Sequence, residues 1–245
     1  MAELRIGTVD IPDRIERDRY FDELSYLELS SLFLGPQKPS ALAKWAEVAP
    51  NDTIGLVAPW VLTQRTPPSG SATWRHDASV GDFRDSEHGR SALAMLKAAV
   101  EQVHAACVVF KSPKLFAASQ ANRDQLAKFF SEIATEDAVG NVPRVWVPDG
   151  LWEPRTAVKF ATEIGVTCAI DPLVVDPTNP YLLGDLETDR IYFRVENLGR
   201  AGVLRTEDLE DLAEVAAEYE DVTIAFASQA RWADARNFVK LIEES

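Results

Sequence analysis

Cysteine, histidine and methionine are scarce in this chain: 2 Cys, 3 His and 2 Met among 245 residues. Two cysteines cannot build a disulfide framework, and Cys107 and Cys168 lie too far apart for the close pairs of a zinc ribbon. Each sits in an apolar, strand-like run, so buried free thiols and a reducing compartment are expected. His76, His88 and His104 are too few to assemble a histidine-rich zinc cluster. Basic residues are also outnumbered, with Lys+Arg 25 against Asp+Glu 39 and a net charge of -14. Phosphate contact draws on Lys and Arg, so generic binding to nucleic acid or to an anionic membrane is disfavoured, although a local basic groove stays open. No apolar run approaches the roughly 20 residues of a membrane span. The first strand-like run begins within a few residues of Met1, so no signal peptide is expected and the chain reads as cytoplasmic. Phosphate-loop, dinucleotide, zinc-protease, nucleophile-elbow and C-x-x-C motifs are all missing, so no nucleotide cofactor is expected.

What the chain does have is a rhythm. Short apolar runs fall at Leu4 to Val9, Ser25 to Leu29, Thr53 to Ala58, Ala106 to Phe110, Arg144 to Val147, Thr167 to Ile170, Ile191 to Val195 and Val222 to Ala227. Most are continuous rather than alternating, as expected of parallel strands covered on both faces. Helical stripes lie between them: Leu93, Leu96, Val100 and Val103; Leu126, Phe129, Phe130 and Ile133; Leu209, Leu212, Ala216 and Tyr219; Trp232, Ala235, Phe238 and Leu241. Asn122 with Gln125 reads as a capping box, and Pro154 suits a first helical turn. Eight strand–helix alternations in a chain with 46% hydrophobic residues predict an α/β fold, a TIM-like (β/α) barrel of about eight parallel strands. Residues 1–245 are expected to form a single domain. Two stretches break the rhythm. One is a long loop at about 64–90, carrying Arg65, Arg75, His76, Arg84 and His88; the other runs from Asp171 to Arg190 with Pro172, Pro177 and Pro180.

A barrel of this kind works at the carboxyl ends of its strands. Those ends would carry Asp10, Glu28, Lys111, Asp149, Asp171, Arg194 and Glu196 to one mouth. Carboxylates beside cations in a partly dry pocket have displaced pKa values, which acid–base chemistry needs. Glu28, Asp171 and Glu196 are the candidate catalytic groups, with Lys111 and Arg194 holding an anion. The same residues read equally as a structural ion-pair network closing the barrel, with Glu28 paired to Arg194 or Lys111. Glu28, Asp149, Asp171 and Glu196 can also offer hard oxygen ligands to Mg²⁺ or Mn²⁺, but no spacing motif marks a metal site. Ser228 and Gln229 would offer phosphate donors beside the last strand. Trp60, Trp74 and Trp152 fall at or beyond strand ends, where an indole either stacks on a sugar or base or packs beneath a loop.

The order of several segments resembles the DUF72 (YecE-like) family of barrel proteins. Ile6-Gly7-Thr8 is similar to that family's opening strand, and Leu27 to Phe33 to its second-strand segment with its glutamate and phenylalanine. Ala58-Pro59 with Thr63, Phe110 to Pro113 with Phe116, Trp152, Asp171, Arg194 and Asn237 to Leu241 follow in the family's order. The resemblance implies a barrel fold and a place for Trp152 at the mouth as a substrate-binding residue. Departures accompany it: Val57 stands where the family has lysine, and Gln64 where it has histidine. Pro148 replaces an arginine, Glu196-Asn197 a His-Gly pair and Ala227-Ser228 an Asn-Asn pair. Two readings follow. The chain is a hydrolase or lyase on a small anionic or sugar-like substrate, or a non-catalytic barrel that binds a ligand, nucleic acid or protein. The sequence leaves the oligomeric state unspecified.

Overall fold

The eight apolar runs become eight strands. In the computed structural model, which describes residues 3–68, 72–148, 151–174, 188–197 and 202–244, they are β1 (Glu3–Val9), β2 (Tyr26–Leu29), β3 (Ile54–Val57), β4 (Cys107–Lys111), β5 (Arg144–Val147), β6 (Thr167–Ile170), β7 (Arg190–Val195) and β8 (Asp221–Phe226). They pair in parallel and in sequence order, and β8 returns to β1, so the sheet is a closed barrel. Around the strands run α1 (Arg17–Glu23), α2 (Ser31–Leu34), α3 (Pro39–Ala46), α4 (Trp60–Thr63), α5 (Glu87–Val103), α6 (Gln120–Lys128), α7 (Pro154–Glu163), α8 (Thr206–Ala216) and α9 (Arg231–Glu244). Among the described residues, no helix is long and apolar enough to cross a membrane.

The chain divides into two compact units, Met1–Glu28 with Ala169–Ser245, and Leu29–Cys168. In the first, β7 and β8 show why side-chain alternation matters here. Phe193 meets Tyr219 beyond the end of α8, with ring centroids 6.0 Å apart, and Phe226 meets Phe238 of α9 at 5.9 Å. Those residues therefore face the helices, and Tyr192 and Arg194 lie on the opposite face of β7. Tyr26 and Glu28 share one face of β2 by the same rule, and the Tyr26 ring meets that of Tyr192 at 5.9 Å. Gly7 makes this pairing of β1 and β2 possible, because a Cβ there would lie 1.6 Å from the Tyr26 carbonyl oxygen. Beneath it the buried Tyr20 hydroxyl accepts from the Thr8 amide at 2.8 Å and donates to the Tyr26 carbonyl at 2.7 Å. Burial pushes the Tyr20 phenol up to about 12.

In the second unit, Phe83, Phe110, Phe129 and Phe130 form an aromatic cluster at centroid separations of 5.2 to 6.3 Å, edge-to-face except for the tilted Phe83–Phe130 pair. Phe129–Ile133 is a π-helical turn. The buried Arg144 guanidinium closes it by donating to the carbonyls of Phe130 at 2.8 Å and Ala134 at 3.1 Å. Two local expectations change. The cap of α6 is Ser119, whose hydroxyl accepts from the Asn122 amide, because the helix begins at Gln120 and leaves Asn122 inside its first turn. The Gln125 amide instead donates to the Phe83 carbonyl at 2.7 Å. The long loop ends earlier than expected, since α5 begins at Glu87 under a Ser86 cap. Its described part is laced to α4 by backbone bonds from Gly81, Asp82 and Phe83 to Val61, Thr63 and Leu62. Pro154 does open α7, and His104 ends α5 in the left-handed conformation.

Candidate functional site at the ends of β6 and β7

Tyr192, Arg194 and Glu196 are spaced by two, so an extended chain sets all three on one side as β7 ends. Arg194 is 7% exposed and Glu28 is wholly buried. The Arg194 Nε–H points at both Glu28 oxygens, at 3.2 and 3.3 Å, and the Tyr192 hydroxyl donates to Glu28 Oε2 at 2.7 Å. Tyr26 Oη lies 3.1 Å from Tyr192 Oη. Glu28 thus has partners for both oxygens inside the protein, which is the condition for a buried carboxylate. Arg194 reaches out of this enclosure through Nη1, which donates to Glu196 Oε1. Burial works against the Arg194 charge, but Glu28, Glu196 and Tyr192 outweigh it and hold the guanidinium above its ordinary range.

Asp171 joins the group from the end of β6. Its Oδ2 accepts from the Glu196 amide at 2.8 Å, and its Oδ1 from the Leu173 amide at 3.0 Å. Burial raises the Asp171 carboxyl above its ordinary value; the two N–H donors and Arg194 oppose the shift, and Glu196 adds to it. The Glu196 side chain is 39% exposed, so the group presents a carboxylate to solvent with a guanidinium behind it. Asn197 follows in the left-handed conformation with φ 52, and its amide donates to the Gly202 carbonyl at 3.3 Å. Its Oδ1 is buried without a hydrogen-bond partner among the described residues.

Of the residues singled out by the sequence, the structure therefore brings Glu28, Asp171, Arg194 and Glu196 into one connected network. Lys111 and Trp152 belong to the other compact unit. There the Lys111 ammonium sits 5.8 Å from the Phe33 ring centroid. Trp152 is buried between Trp146 and Phe160, its Nε1–H donates to the Phe116 carbonyl at 2.7 Å, and the Arg123 guanidinium lies 4.8 Å over its ring. Little of that indole is left for a ligand to stack on. Trp74 is buried and bonded to the Leu32 carbonyl, and Trp60 is buried beside His76. Asp149 lies outside the described residues. Ser228 donates to Asp234 at 2.6 Å in the first turn of α9, so a carboxylate already takes the position suggested for a phosphate. Among the described residues, no group of three or more His, Cys, Asp or Glu is placed to hold a metal ion.

Tyr192 and Tyr26 were missed by sequence reasoning. Their signal was present as alternation, Tyr26 with Glu28 and Tyr192 with Arg194, but a tyrosine in an apolar run reads as core.

The sequence matches no family model and no curated protein. Solved structures do match. A DUF72 family protein from Enterococcus faecalis V583 superposes with a TM-score of 0.71 at 15% identity, covering 100% of this chain and 99% of its own. A DUF72 family protein from Thermotoga maritima MSB8 gives 0.64 at 14% identity, covering 98% and 99%. The chain has the DUF72 fold. The frame is shared more widely, since a family 2 AP endonuclease from Brucella melitensis gives 0.61 at 10% identity, covering 100% and 99%. On this DUF72 frame, Gln64 spends its amide on the Lys111 and Ser112 carbonyls at 3.0 and 3.2 Å. Ser228 is likewise committed to Asp234.

Proposed function

We propose that this chain is a diverged DUF72 protein that acts on a small molecule at the carboxyl ends of β6 and β7, as a hydrolase or lyase. Asp171 and Glu196 serve as the acid–base pair, and Arg194 holds the ligand against them. The observation that carries this reading is the junction of the two carboxyl groups. The amide of Glu196 donates to Asp171 at 2.8 Å, and burial keeps the Asp171 proton at higher pH while Glu196 pairs with Arg194. Two carboxyl groups in unlike environments give one proton donor and one acceptor at the same pH. Glu28, having no exposed surface, acts through Arg194 as a positioning residue and does not touch the ligand.

The test is turnover by purified protein against a panel of glycosides, sugars and phosphoesters, with and without Mg²⁺ or Mn²⁺. Conversion of one class is expected, with a fall on the order of 10²–10⁴-fold in Glu196→Gln and Asp171→Asn. Wild-type turnover retained in both variants would overturn the assignment. A second reading, a non-catalytic binding barrel, is favoured by Gln64 and Ser228, whose polar groups are committed to the protein itself. It predicts ligand binding by a wild-type protein that converts nothing in the panel.

A further inference from the structure

Arg194 carries five N–H groups, and the structure spends only part of them. Nε–H is taken by Glu28 and one Nη1–H by Glu196, while Nη2 has no hydrogen-bond partner among the described residues. This is the open edge of a side chain more than nine-tenths buried. Its orientation is held by Glu28, which is itself held by Tyr192. Next to that edge stands the part-exposed Glu196 carboxylate, bonded through Oε1 alone among the described residues.

The open edge suits some ligands and not others. A phosphate or carboxylate binds arginine best through two parallel N–H groups. Here Nε–H is already on Glu28 and one Nη1–H on Glu196, so the Nε/Nη2 side offers no unoccupied fork and an anion at the Nη1/Nη2 end would share Nη1 with a carboxylate. Two carboxylates, Glu28 and Glu196, bond the guanidinium, and Asp171 lies close enough to feel its charge, so an arriving anion meets like charge. A hydroxyl group is different, because it accepts and donates at once. One hydroxyl can accept from Nη2 while its neighbour on the same carbon chain donates to Glu196. A buried guanidinium beside a carboxylate thus complements adjacent hydroxyls without a net charge on the ligand.

Resting on the proposed site, we infer that its ligand is a neutral polyol of the sugar class, gripped through adjacent hydroxyls by Arg194 Nη2 and the Glu196 carboxylate. Asp171, whose two oxygens are fixed by backbone N–H groups, then stands beside the bound hydroxyls.

The experiment is calorimetric and thermal-shift binding with full-length protein. The probes are neutral monosaccharides and a cyclic polyol, their phosphorylated counterparts, and inorganic phosphate alone. At least one neutral probe is expected to bind, with its phosphorylated counterpart weaker by tenfold or more and inorganic phosphate giving no shift. Glu196→Ala and the isosteric Glu196→Gln should each weaken the neutral probe at least tenfold while keeping wild-type circular dichroism. Tighter binding of the phosphorylated probe, binding indifferent to both variants, or binding of no neutral probe overturns the inference. The acid–base reading is judged separately by turnover. A phosphorylated substrate converted in a Glu196-dependent manner would retain that reading and remove this one.

Discussion

The ends of β6 and β7 and the ends of β4 and β5 lie in different compact units and commit their charged and polar groups differently. At β6 and β7, side chain meets side chain: Tyr192 with Glu28, Glu28 with Arg194, Arg194 with Glu196. At β4 and β5, the Trp146 indole bonds the Ser112 hydroxyl at 2.8 Å, but Gln64, Trp152 and Arg123 meet backbone and rings: Gln64 bonds two carbonyls, Trp152 bonds the Phe116 carbonyl, and Arg123 lies over Trp152 and Phe160. A network of side chains keeps unspent capacity, as at Arg194 Nη2 and the exposed Glu196 carboxylate. A side chain bonded to a carbonyl within an aromatic cluster is satisfied where it stands. That difference is why the first region is read as a site and the second as packing.

The largest break comes from removing the anchor. Glu28→Ala strands part of a buried guanidinium, and a loss of about 3–5 kcal/mol in urea denaturation is expected. Glu28→Gln, which keeps an acceptor for Tyr192, should cost less. A loss below 1 kcal/mol in the alanine variant would mean that the buried pair does not hold this region together. In the other unit, Trp152→Ala should cost about 3 kcal/mol through lost packing, again by denaturant midpoint. An unchanged midpoint there would contradict its enclosure by Trp146, Phe160 and Arg123.

Leu115, in the loop after β4, is 78% exposed and held at φ 64, a region that a branched side chain resists. Leu115→Gly should stabilise the protein by about 1 kcal/mol, and destabilisation would show that the exposed leucine makes contacts worth more than the strain. The smallest effect is electrostatic. A carbon-13 titration of Asp171 should give a midpoint above the ordinary 3.8, and Glu196→Gln should bring it down by removing a neighbouring negative charge. Because the folded value is raised, the stability linked to this group is full below the ordinary carboxylate range and is lost as pH rises through the folded midpoint. A midpoint at or below the ordinary value would sink the proton-donor role.

Much of the fold was legible in the sequence. All eight strands fall within a residue or so of the apolar runs, and the stripes on α5 and α8 face inward as their spacing implied, whereas on α9 Ala235 and Phe238 are buried and Trp232 and Leu241 half-buried. Capping was less legible, because Ser119 and Asn122 are both good caps and only the starting point of α6 decides between them. The candidate site was half legible. Glu28, Asp171, Arg194 and Glu196 could be named as strand-end charges, whereas Tyr192 was hidden by its apolar neighbours. Trp152 was placed at a mouth on resemblance, and the structure gives its indole to a carbonyl and an arginine.

By itself, then, the sequence determined the alternation of strand and helix, since apolar spacing is a local property that decides which face of each element is buried. It also determined which chemistry lay at each strand end. Only the tertiary structure decided that Glu28 meets Arg194 across 166 residues, that Arg194 bonds two carboxylates and keeps Nη2 open among the described residues, and that Asp171 is buried against the amide of Glu196. Those meetings depend on strand order and register, and closing the barrel brings together side chains that no local pattern links.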